Sequence, residues 1–217
     1  MYINEKLMIA LRNHTADDFL KENKQEGYFR EQELAKIKLP TGKIVANDPL
    51  VLGEMEAFTI RVPSGEYPVV LYIYHNNDDQ RVAFAEMRLN EKIPVRFEPA
   101  LVEGQEAEAL EEDEFFGYGV DTGTGCFMDE QTCKKLEALM DTTEYGELTE
   151  FDKLLEESYV DTYMTANFVL PETDFNVVAF SSGYGDGCYP SFWGYDAAGE
   201  LCCLITDFCV IDMDDNE

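Results

Sequence analysis

The chain has 217 residues, enough for one sizeable hydrophobic core and short for two. Its 45 acidic and 16 basic residues give a formal net charge of −29, which repels phosphate backbones and anionic lipid and so argues against nucleic-acid and membrane partners. Apolar residues make up 45%, with twelve Tyr and fourteen Phe, and that composition excludes a wholly disordered chain. No stretch approaches the roughly 20 apolar residues that cross a bilayer. The opening MYINEKLMIALRNH places Glu5 early and lacks a long apolar run, so no secretory signal is expected and the cytoplasm is the expected compartment.

The first forty residues read as helical pieces. Leu7, Met8 and Leu11 recur at helical spacing, and Thr15 is placed to cap a short helix through Phe19 and Leu20. A turn at Leu39–Gly42 leads into a short strand, Lys43–Ala46, closed by Asn47-Asp48-Pro49. From Ala57 to Glu98 the pattern is β: Phe58–Val62, Tyr67–Tyr74, Arg81–Leu89 and Pro94–Phe97, with a polar hairpin tip at His75–Asp79. Short strands with polar turns imply an antiparallel meander with one face covered.

Val102–Glu114 changes character, with seven acids and no base, and reads as an exposed loop, linker or frayed helix. Two helices are expected between Asp129 and Val160, the first capped by Asp129, the second by Thr149 with Asp152. Strands return at Asn167–Leu170, Asn176–Ser181, Ser191–Tyr195 and Leu201–Ile211, with a hairpin turn at Asp196–Gly199. The expected fold is α+β: a mainly antiparallel β sheet or sandwich with a two-helix insertion and a partly helical N-terminus, as one domain over residues 1–217.

Two segments set an Asp among glycines at a strand end: Gly117–Asp129 around Asp121, and Ser181–Tyr195 around Asp186. The plainer reading is a pair of structural turns whose aspartates bind their own backbone. The sharper reading is one shared site, with Asp121 and Asp186 on the same side, Gly185 and Gly187 allowing close backbone approach, and Tyr184, Tyr189 and Trp193 beside them. Asp121, Asp129 and Asp186 would then supply hard oxygen ligands to Ca²⁺ or Mg²⁺, although no EF-hand spacing is present and no other cofactor is implied. No phosphate loop, nucleophile elbow or H-E-x-x-H motif occurs, and His14 and His75 are the only histidines.

The six cysteines, Cys126, Cys133, Cys188, Cys202, Cys203 and Cys209, form no C-x-x-C pair, so reduced thiols without zinc are expected. Taken together, Leu39–Leu50, Val62–Val69, Arg81–Ala85, Gly119–Gly123, Ser182–Pro190 and Thr206–Phe208 resemble, in order, the bacterial domain-of-unknown-function 4241 (DUF4241) family over about residues 39–211. The resemblance implies a bacterial, cytosolic, single-domain protein and carries over no catalytic residue.

Three functional readings remain open. The first is a non-enzymatic binding or regulatory protein, immunity- or inhibitor-like, whose acidic surface covers a basic protein. The second is a metal-assisted hydrolase using Asp121 and Asp186. The third is a β-type ligand-binding module using Tyr184, Tyr189 and Trp193. Acidity as a general aid to solubility is the plainer account of the charge.

Overall fold

The computed structural model describes residues 4–51, 55–111, 114–140 and 150–211. Two short helices come first, α1 (Glu5–Arg12) and α2 (Ala16–Glu22). α1 buries Leu7, Met8 and Leu11 on one side, the spacing that lets a helix lie on a sheet.

Next comes a twelve-residue strand, β1 (Tyr28–Leu39), where the sequence suggested only helical pieces. Its charged residues Arg30, Glu31, Glu33, Lys36 and Lys38 hide any apolar alternation. The strand is fixed by its partner instead, since it pairs β3 (Gly65–Asn76) from Tyr28 opposite His75 to Leu39 opposite Gly65. The expected strand Phe58–Val62 is the second correction. It joins no ladder and bends at Thr59, and its amides donate singly: Phe58 to Ile44 O at 2.9 Å, Thr59 to Leu101 O at 2.8 Å, Val62 to Gly42 O at 2.9 Å.

The remaining elements are β2 (Ile44–Asn47), β4 (Asp79–Arg88), β5 (Arg96–Pro99), β6 (Gly117–Val120), β7 (Thr124–Asp129), α3 (Glu130–Met140), α4 (Glu150–Glu157), β8 (Thr165–Val169), β9 (Asn176–Ser181), β10 (Gly187–Tyr195) and β11 (Leu201–Asp207). Every ladder is antiparallel. The larger sheet runs β1-β3-β4-β11-β10-β5 with β6 also on β10, and the smaller runs β2-β7-β9-β8. The result is the expected α+β arrangement of antiparallel sheets.

The two sheets pack face to face, with Ile44, Phe127, Val178 and Phe180 of the smaller meeting Leu71, Ala85, Trp193 and Leu204 of the larger in one hydrophobic cluster. α3 and α4 cover the smaller sheet's outer face, burying Leu136, Phe151 and Leu155 against Val45, Met128 and Phe168. α1 and α2 lie on the larger sheet, so its centre is covered on both faces rather than one; β4 is buried continuously from Val82 to Met87. Asp129 Oδ1 accepts the Gln131 amide at 2.8 Å and caps α3 as expected. Thr149 lies outside the described residues, and with it the expected cap of α4. Among the described residues of the acidic stretch, Ala107–Ala109 form a 3-10 turn. No described helix is long and apolar enough to cross a membrane.

The first covering helix, α1, is held by a buried charge. Glu86 is fully buried and accepts from Arg12 Nη1 at 2.7 Å, Tyr72 OH at 2.8 Å and Arg88 Nε at 3.0 Å. Arg12, the last residue of α1, also donates to Asn90 O at 2.9 Å and Lys92 O at 2.6 Å.

A second buried carboxylate is less well provided for. Asp207 accepts from Asn4 Nδ2 at 3.0 Å and the Cys209 amide at 2.8 Å, with no cation paired to it among the described residues. Burial pushes its pKa up from 3.8 to about 6. A raised carboxyl pKa favours the folded state while the group is protonated, so this contribution is lost as pH rises through about 4 to 6. Asp207→Asn should therefore raise the melting temperature at pH 7 by several degrees, corresponding to about 1–3 kcal/mol, and the gain should vanish below about pH 4. Melts of both proteins across pH check this, and a variant destabilised at neutral pH would contradict it.

Candidate functional site

The outer edge of β10 is shared between two short strands. Phe192–Tyr195 pair with β5, and Gly187–Pro190 pair with β6. Ser191 stands at the changeover, its carbonyl accepting the Ala100 amide at 2.8 Å. Between the two strands the chain leaves the sheet at Ala100 and returns at Gly117, and the excursion contains the stretch with seven acids and no base. One ladder cannot continue straight into the other, so the sheet edge opens into a cleft of about 240 Å³ between β10 and β2.

Four aromatic residues stand in its walls: Phe58, Phe116, Tyr118 and Tyr189. Polar groups come from four segments: Asn47 at the end of β2, Glu56 before Phe58, Gln105 in the acidic stretch, and Ser191. Strand alternation explains the inward set. Tyr118 is opposite Tyr189 in the β6–β10 ladder, so both rings turn between the sheets, while the Gly119–Cys188 pair turns out and Cys188 is exposed. The Tyr118 hydroxyl is buried without a hydrogen bond of good geometry, and burial holds its pKa well above the usual tyrosine range. Beside the cleft floor, Ser191 Oγ and Thr206 Oγ1 are 2.7 Å apart.

The β6–β10 pairing also decides the fate of the two glycine-aspartate segments. Gly187 is opposite Val120, so one step beyond the ladder Asp186 faces Asp121, and both are exposed. The turns touch: a Cβ on Gly123 (φ +67°) would be 3.5 Å from the Cα of Gly185 (φ +118°), and both conformations favour glycine. The aromatic companions separate, however. Tyr184 is outside and 64% exposed, with Arg81 at 5.1 Å from its ring centroid. Tyr189 is buried and donates to Gly185 O at 2.8 Å, and Gly187 needs its lack of a side chain because a Cβ there would be 2.8 Å from the same hydroxyl. Trp193 is fully buried, edge-on to Phe58 at 6.1 Å.

The three-aspartate cation site does not assemble. Asp129 is fully buried, and besides capping α3 its Oδ2 accepts the Thr41 amide at 2.9 Å and Thr41 Oγ1 at 2.8 Å. Among the described residues no three His, Cys, Asp or Glu side chains gather as a metal would need. None of the six cysteines is in a disulfide among the described residues, and burial raises the thiol pKa of Cys126, Cys133, Cys188, Cys202 and Cys203. His14 Nδ1 lies 3.4 Å from Glu31 Oε2, and His75 stacks on Tyr28 at 4.7 Å, so each histidine is engaged away from the cleft lining.

The residue that closes the first turn is Asp48, which the sequence suggested only as a strand terminator. Its buried carboxylate accepts the amides of Asp121 at 3.0 Å, Thr122 at 2.8 Å and Leu50 at 2.9 Å, and the Thr122 hydroxyl at 2.8 Å. It thereby pins the end of β2 to the β6–β7 turn and sets the spacing of the cleft's two sides. Its only sequence signal is an Asp before Pro in a turn.

A model of the family described as "Protein of unknown function (DUF4241)" matches residues 37–206, most of the chain. No curated protein and no solved structure matches the chain.

Asp48→Ala strands several buried amides and should cost about 2–4 kcal/mol in urea unfolding. Asp121→Ala and Asp186→Ala should each change stability by less than about 0.5 kcal/mol, or raise it by relieving like-charge repulsion. A neutral Asp48→Ala, or an Asp121→Ala as costly as it, would sink this assignment of the turn.

Proposed function

The chain belongs to the DUF4241 family, whose description assigns no activity, and on that premise we propose that it is a non-enzymatic binding protein that engages a basic protein, inhibitor-like, at the cleft between β2, β6 and β10. One observation carries this reading: the segment with seven acids and no base, Val102–Glu114, also supplies a wall of the aromatic cleft through Val102 and Gln105. Long-range attraction and a specific apolar contact therefore coincide at one place. The net charge of −29 would speed encounter with a cationic partner, and the aromatic walls would discriminate among partners after encounter.

The hydrolase reading has less support. Asp121 and Asp186 are solvent-exposed at a ladder end and lie outside the lining of the cleft.

An arginine- and lysine-rich peptide should bind the protein in calorimetric titration, and binding should weaken steeply with added salt. Replacing Glu103, Glu106 and Glu108 by Gln should weaken it further without changing the melting temperature, because the three carboxylates are exposed and have no ion pair among the described residues. A glutamine-substituted control peptide that binds equally well would refute the proposal.

A further inference from the structure

We infer that the cleft is a receptor for one arginine side chain of the basic partner, an inference that rests on the reading just given. The first ground is unused acceptors. Asn47 and Glu56 both line the cleft, and among the described residues neither side chain makes a hydrogen bond or an ion pair. Asn47 is half-buried and Glu56 is exposed, so an amide oxygen and a carboxylate stand ready for a ligand rich in N–H donors.

The second ground is the walls. A guanidinium is flat, weakly hydrated and attracted to aromatic faces, and Phe58, Phe116, Tyr118 and Tyr189 surround the space it would fill. The same chain already uses this contact on its surface, where the guanidinium of Arg96 sits 4.1 Å from the Tyr195 ring centroid.

Size is the third ground. A volume of about 240 Å³ is below the range usual for cofactor and metabolite pockets, roughly 300–1,000 Å³, yet suits a single long side chain. A neutral ring would fit the walls but leave the Glu56 carboxylate unpaired. Lysine would meet the carboxylate, but its compact, strongly hydrated ammonium could not pair Asn47 and Glu56 as a planar fork does.

The probes are Nα-acetyl-arginine methylamide, its lysine counterpart and its uncharged citrulline counterpart, titrated into the full chain and followed by the backbone amide resonances of Asn47, Gly117 and Gly119. The arginine probe should shift these resonances saturably, with lysine and citrulline binding several-fold more weakly. Glu56→Gln and Phe116→Ala should each weaken arginine several-fold, whereas Asp186→Ala should leave it unchanged. Glu56 is exposed, so its variant should fold, and an unchanged melting temperature verifies that. Silence of the cleft resonances, or equal binding of citrulline, overturns the arginine receptor. If the basic peptide still binds in that case, the basic-partner reading stands and only the pocket is lost; if neither binds, both fall.

Discussion

A single buried carboxylate organises the larger sheet. Glu86 sits where water cannot reach it, and an ionised group there costs several kcal/mol unless donors replace its hydration. Arg12, Arg88 and Tyr72 supply those donors, and each belongs to a different part of the chain: the end of α1, the end of β4 and the middle of β3. Arg88 extends the network to β1 through Glu31 at 2.8 Å. Burial and the adjacent Glu86 push the Tyr72 phenol well above its usual range, so it stays a donor at any physiological pH. Burial opposes the charge on Arg88, but Tyr72 and Glu86 outweigh it and hold the guanidinium ionised. Truncating Glu86 would leave the Arg12 and Arg88 guanidinium groups without their shared buried carboxylate, a loss typically of about 3–5 kcal/mol.

That network settles one face of the larger sheet and leaves the other to the smaller sheet. The inner face is then free to carry Leu71, Ala85, Trp193 and Leu204 against Phe127, Val178 and Phe180. The cleft is a by-product of the same packing. β10 lies inside the sandwich but its outer edge needs two strands to fill it, and the handover from β5 to β6 cannot be seamless. Asp48 fixes how far apart the sides stand, because it bonds the β6–β7 turn from the end of β2. A concavity held by ladders and a buried carboxylate is preorganised, so little ordering entropy is lost when a side chain enters it.

Much of this was legible in the sequence wherever local pattern and tertiary context agree. Asn176–Ser181 reads as a strand with its observed ends, His75–Asp79 as a hairpin tip, and Asp129 as a helix cap. β1 was hidden because charged side chains break its apolar alternation and its register comes from β3. Phe58–Val62 misled in the opposite sense: it alternates as a strand should, yet its amides bond singly to Ile44 of β2, to Gly42 just before it and to Leu101. At the site, two glycine turns each carrying Asp suggested a meeting of strand ends, and the β6–β10 ladder brings the two turns together. Which aromatics accompany them depends on strand phase, so Tyr184 and Tyr189 diverge. Asp48 could not be read as the clamp, because the turn amides it accepts, those of Asp121 and Thr122, lie more than seventy positions away. The cleft could not be read at all, since it exists only where one strand replaces another beside β10.

The most direct test of the central claim, a preformed cleft that receives a basic partner, is amide hydrogen exchange of the full chain with and without the arginine- and lysine-rich peptide. The account predicts added protection concentrated at residues 100–105 and 116–119 and at Asn47, with the β3–β4 hairpin unchanged. Protection confined to the Tyr184–Asp186 turn or the exposed edge of β1, or no protection under conditions where the peptide binds, would contradict it.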